Sequence, residues 1–103
     1  MIAGSERELI KQALSSIPYE KVILFGSRAR GEQTSQSDFD VLVILKEVTP
    51  IGRKIHLSTM LRKSLAARMV DADVLVKDAE DVNYLKDKPG SVVRQALQDG
   101  VSL

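Results

Sequence analysis

Asp38 and Asp40 stand two residues apart at the mouth of an apolar run, Val41-Leu42-Val43-Ile44-Leu45. Residues i and i+2 of a strand share a face, so both carboxylates point the same way. Their Cβ atoms would lie about 6.6 Å apart at a rise of about 3.3 Å per residue. Short carboxylates at this spacing can converge on hard cations, which take oxygen ligands. They could bracket two ions about 3.5–4 Å apart, as two-metal phosphoryl transfer requires. A D-x-D pair alone is more often a strand end beside a solvated charge. Here the strand continues apolar on both faces, which sets Asp40 beside the core, where an unpaired charge is costly.

A second pair, Asp71 and Asp73, opens a later apolar run. Asp73 leads into Val74-Leu75-Val76 much as Asp40 leads into Val41-Leu42-Val43, which selects Asp73 as a third carboxylate and leaves Asp71 as the alternative. Three like charges together repel, and divalent ions would relieve that repulsion. The segment Gly26-Ser27-Arg28-Ala29-Arg30-Gly31 directly follows a short apolar run. Glycine lets backbone approach a ligand closely. A helical turn opening at Ser27 would offer free amides to an anion, and the Ser27 hydroxyl with Arg28 and Arg30 could hold a triphosphate. A basic loop bounded by glycines is usually only a loop; beside a metal-binding pair it becomes half of a nucleotide site.

The elements that must position these groups follow from periodicity. Ser5 and Glu8 form a capping box, and Leu9, Ile10, Ala13, Leu14 and Ile17 recur at helical spacing until Pro18. Strands are expected at 22–25, 39–45 and 70–76. Thr49-Pro50 offers an N-cap with proline at the first helical position. Ile51, Ile55, Leu61, Leu65 and Met69 then fall within an arc of about 140°, an amphipathic helix of some five turns. Arg62 lies inside that arc, where it would have to snorkel. Short helices over 78–85 and 91–98, a Lys88-Pro89-Gly90 turn and a stop at Gly100 complete the chain. A long helix between the second and third strands makes those two parallel, and the short link between the first two makes them antiparallel. The expected fold is α+β: a small mixed sheet of about three strands with packed helices, in the order α-β-α-β-α-β-α-α once a helical turn in 27–37 is counted.

The 103 residues form one expected domain, 1–103, without repeats or linkers. A net charge of +1 gives no global attraction to nucleic acid or anionic membrane. An aromatic fraction of 4% leaves no stacking platform for single strands. There is no cysteine, hence no disulfide or thiolate metal site. No run approaches a membrane span and the N-terminus has no signal-peptide pattern, so a cytoplasmic protein is expected. His56 falls on the solvent face of the long helix, and Arg53, Lys54, Arg62, Lys63 and Arg68 make a solvated basic face. Met60 is expected exposed, Met69 in the core, and Tyr19 and Tyr84 at packed edges.

Gly26-Ser27, ten residues, then Asp38-Phe39-Asp40 resembles the G-S-x10-D-x-D signature of the DNA polymerase β-like nucleotidyltransferase superfamily. Those four fixed positions would recur by chance in a chain this long on the order of once in a thousand. The Gly-Ser-Arg-Ala-Arg-Gly wording and the small size resemble the minimal nucleotidyltransferases (MNT), and the likeness extends over nearly the whole chain. The resemblance implies a polymerase β palm-like fold, two Mg²⁺ ions, and ATP or another nucleoside triphosphate as substrate. It implies that Asp38 and Asp40 are the metal-binding pair, Asp73 the third carboxylate, and Gly26 and Ser27 the phosphate-contacting turn. It also implies transfer of AMP to a hydroxyl of a partner protein, in the setting of an antitoxin paired with a HEPN-domain toxin. The alternative function is a binding protein that neutralises its partner by contact.

Overall fold

The computed structural model describes residues 4–26 and 39–103. The order is α1 (Gly4–Leu14), β1 (Tyr19–Phe25), β2 (Phe39–Leu45), α2 (Ile51–Ala67), β3 (Ala72–Asp78), α3 (Ala79–Leu85), α4 (Val92–Asp99) and β4 (Val101–Ser102). The sheet order is β3-β2-β1-β4. β2 and β3 are parallel, while β1 is antiparallel to both β2 and β4, as the connection lengths require. The fourth strand exceeds the expected three. Two residues carry no readable period, and β4 forms only because Val101 and Ser102 pair with Leu24 and Ile23, followed by Leu103 N–H donating to the Val22 carbonyl at 3.0 Å. The helical turn expected within 27–37 lies outside the described residues.

Strand alternation divides the apolar residues between two cores. Val22, Leu24, Val41, Val43, Val74 and Val76 face α1 and α2, meeting Ile10, Leu14, Leu57, Leu61 and Leu65. Ile23, Phe25, Leu42 and Ile44 face α4 and α3, meeting Val93 and Ala96 with Val82 and Leu85 at the margin. β2 is thus buried on both sides, as its unbroken apolar run requires.

The buried face of α2 corrects the expected stripe. Ile51 and Ile55 are 65% and 60% exposed, and Met69 is 93% exposed. The face that packs is Lys54, Leu57, Ser58, Leu61 and Leu65. Two polar residues occupy it because each has a built partner. Ser58 Oγ donates to the Val74 carbonyl at 2.6 Å, and Lys54 Nζ donates to Asp78 and Asp81. Lys54 is therefore not part of a solvated basic face. An apolar-only period is blind to such pairs and slides the stripe toward the nearest isoleucines.

Several boundaries also move. α1 already contains Gly4 and Ser5, so Ser5 stands inside the helix rather than at its cap. Pro50 is the N-cap of α2, while Thr49 donates its hydroxyl to the Glu47 carbonyl and its amide to Asp78 Oδ2. β3 starts at Ala72, not Val70, because Met69 (φ 62°) closes α2 in a left-handed turn. There Met69 and Val70 N–H donate to the Ala66 and Leu65 carbonyls, a Schellman arrangement. Tyr84 is exposed under Lys88 Nζ, 4.5 Å from its ring centroid, rather than packed; Tyr19 is partly buried. His56 and Met60 are exposed as expected. Among the described residues no helix is long and apolar enough to cross a membrane.

Candidate active site

Three neighbouring strands bring Gly26, Asp40 and Asp73 to one end of the sheet. β1 ends at Phe25, whose Cα partner is Asp40, and Asp40 is in turn the Cα partner of Asp73. Adjacent strands are about 4.8 Å apart, so the two aspartates are side by side. Parity with Leu42 and Leu75 puts both on the α4 side of the sheet. They open into a cleft of about 380 Å³, walled by Phe25, Val74, Leu75 and, from α4, Val92 and Gln95. Gly26 lines it with a φ of +83°, and a Cβ added there would meet the Asp40 carboxylate. Backbone and carboxylate crowd each other at this point, so a side chain at position 26 would have to displace the Asp40 carboxylate and hold a left-handed backbone.

Asp73 lines the cleft, whereas Asp71 precedes β3, is exposed, and is not among the lining residues. Asp38, Ser27, Arg28 and Arg30 lie outside the described residues. Among the described residues no group of three acidic or imidazole side chains gathers around one point. Asp40 and Asp73 nonetheless supply hard carboxylate oxygens from adjacent strands, the donor chemistry a magnesium ion takes. The residues present fit such an ion.

Arg62 was missed by sequence reasoning. It projects from α2, on the other side of the sheet, and still lines the cleft. Its Nη2 donates weakly to Ser58 Oγ at 3.4 Å, and Ser58 is itself bound to the carbonyl of Val74, next to Asp73. Nothing in the sequence links Arg62 to Asp73, since the link runs through a helix-to-strand hydrogen bond. Gln95 and Val92 carry no sequence signal either.

The opposite end of β3 is held by a buried network. Asp78 Oδ1 accepts from Asp81 N–H at 3.0 Å, and Oδ2 accepts from Thr49 N–H at 2.9 Å and Lys54 Nζ at 3.2 Å. Burial alone would raise the Asp78 carboxyl, but these amides and then the ammonium reverse that and bring it down to about 2. The hydrogen bond to Asp81 raises Lys54 above its ordinary value, against the opposing effect of burial. This ties the β2–α2 link, α2, β3 and α3 together, and so fixes the strand that carries Asp73.

The family model described as nucleotidyltransferase domain matches residues 7–101. A Methanocaldococcus jannaschii protein, named as a candidate protein adenylyltransferase, is 49% identical over 35 residues. That match covers 34% of this chain and 35% of the relative, so about a third of the relative's length is spanned. A solved toxin–antitoxin structure with AMP-PNP is similar with a TM-score of 0.59 at 22% identity, covering 92% of this chain and 69% of that one. A structure of a tri-AMPylated Shewanella oneidensis HEPN toxin with MNT antitoxin is similar with a TM-score of 0.50 at 23% identity, covering 94% and 66%. At these identities the two structures establish the fold.

Proposed function

Because the chain belongs to the nucleotidyltransferase domain family, we propose that it moves AMP from ATP to a hydroxyl of a partner protein. The observation that carries this reading is the register that sets Asp40 beside Asp73, on one face, against the left-handed Gly26. Asp38, Asp40 and Asp73 would hold Mg²⁺, which when bound neutralises charge on the phosphates. The open backbone at Gly26 receives the triphosphate, and Ser27, Arg28 and Arg30 follow it in sequence, suited to the phosphate tail. Asp73 takes the proton of the acceptor hydroxyl. The acceptor oxygen forms a bond to the α-phosphorus as the bond to pyrophosphate breaks, and pyrophosphate leaves with that electron pair. Phe25, Leu75 and Val92 give the cleft an apolar wall beside the two carboxylates.

The names of the relatives support a protein acceptor and, more narrowly, a HEPN toxin that this chain would restrain as antitoxin. Thermal unfolding with ATP, Mg²⁺, both or neither tests the site. At roughly 100 times its dissociation constant a ligand adds about 2.7 kcal/mol; the gain should need both components and vanish in Asp40→Asn. AMP transfer to a HEPN partner should fall about 10²–10⁴-fold in Asp73→Asn and stay near wild type in Asp71→Asn. Stabilisation that survives Asp40→Asn would place the nucleotide elsewhere and sink the reading.

A further inference from the structure

Arg62 lines two cavities at once, the cleft at Asp73 and a groove of about 210 Å³ between α2 and β3. The groove follows the outer edge of β3, the end strand of the sheet, with which no further strand pairs among the described residues. Such an edge presents backbone N–H and C=O groups to another chain, apart from the Val74 carbonyl, which already accepts from Ser58 Oγ. The facing wall is Ile51 and Ile55, the exposed isoleucines of α2. Arg62 and Lys77 border it, and among the described residues no acidic side chain does. The third cation there, Lys54, is already engaged by Asp78 and Asp81. The groove therefore offers a strand edge, an apolar wall and two cations, and it adjoins the cleft of Asp73 through the shared Arg62, Val74 and Leu75.

We infer that this groove seats the acceptor as an extended acidic segment of the partner protein, added to β3 as a further strand. Apolar side chains of that segment rest on Ile51 and Ile55, and an acidic one meets Arg62 and Lys77. Its hydroxyl then arrives at Asp73 from the side of the site away from Gly26, so acceptor and triphosphate enter from opposite ends. Added strands gain affinity from main-chain hydrogen bonds and specificity from alternate side chains. A nucleic acid would satisfy the cations but not the isoleucine wall. The inference rests on the transfer reading above.

The test uses two fluorescein-labelled octapeptides that alternate valine with glutamate, or valine with lysine, and end in tyrosine. Anisotropy should show the wild type binding the glutamate peptide at least about tenfold more tightly. Ile55→Glu should lose that binding by about tenfold or more, and the double variant Arg62→Glu/Lys77→Glu should prefer the lysine peptide. Hydrogen exchange should slow at β3 amides when the glutamate peptide is added. Equal affinity for the two peptides, or no protection in β3, would overturn the inference. So would β3 protection that rises with the chain's own concentration (a second copy), or displacement of the peptide by single-stranded RNA. Stabilisation of the wild type by ATP and Mg²⁺ is measured alongside. Its absence counts against the transfer reading, while the peptide preference judges the groove by itself.

Discussion

Gly26 is held at a φ of +83°, where a Cβ would meet the Asp40 carboxylate. Two costs therefore fall on Gly26→Ala. The left-handed backbone costs a non-glycine residue about 1–2 kcal/mol, and the new methyl displaces Asp40 from its place beside Asp73. The variant should remain folded but melt earlier, by roughly 4–8 °C per kcal/mol in a domain of this size. It should also lose stabilisation by ATP with Mg²⁺; a melting change with full nucleotide response would separate Gly26 from the site. At this scale strand parity alone decides which residues share a face, and Asp40 and Asp73 do share one, while Asp38 lies outside the described residues. The choice of Asp73 over Asp71 came from the apolar context of each, and the structure sets Asp73 in the cleft lining. Arg62 was not legible, because its place depends on Ser58 reaching the Val74 carbonyl across two elements.

α2 shows how far periodicity carries an element. Its existence and its role as a crossover follow from the chain, but its buried face turns on Lys54 and Ser58, whose partners lie 16 to 27 residues away. Such partners can be chosen only once β3 and α3 are in place. The pH response should report this network. Asp78 is 1% exposed and its folded pKa of about 2 lies below the ordinary 3.8. Its contribution is thus fully present above about pH 4 and is lost as pH falls toward 2, by about 2 kcal/mol in all. Urea unfolding at pH 7, 4 and 2.5 should show the loss, and Asp78→Asn, less stable at neutral pH, should remove most of that slope. The other end of α2 holds an opposite case. Met69 is left-handed and almost wholly exposed, in the position of the Schellman turn that glycine favours. Met69→Gly should therefore raise stability by up to about 1 kcal/mol, removing backbone strain while losing little packing. A drop in the melting temperature would show that Met69 packs in solution.

At the scale of the whole molecule the sheet has two edges, and the chain treats them differently. Among the described residues β3 has no strand partner at one side, with Lys77 beside it as the kind of charge that discourages indiscriminate pairing. β1 is covered at the other side by Val101 and Ser102, fixed by Arg7 Nη2 donating to the Ser102 carbonyl at 3.0 Å and by Leu103 N–H on Val22. Gly100 makes that return possible by close packing, since an added Cβ would meet Ile23 Cγ2 and the Ala96 carbonyl. The cover matters because Val22 to Phe25 are buried on both faces, so an uncovered β1 would present an apolar strand with a free backbone edge. A chain stopped at Gly100 keeps both cores and every side chain of the cleft. It should fold with a modest loss, about 1–2 kcal/mol for the ladder and the packing of Leu103, and keep its response to ATP with Mg²⁺. It should also associate through β1 as its concentration rises, whereas the full chain should not do so through that edge. Sedimentation velocity over a hundredfold range of concentration decides this. A truncated chain that stays monomeric at the top of the range would mean that β4 serves only to hold α1 and the sheet together, and that β1 is guarded by its own twist.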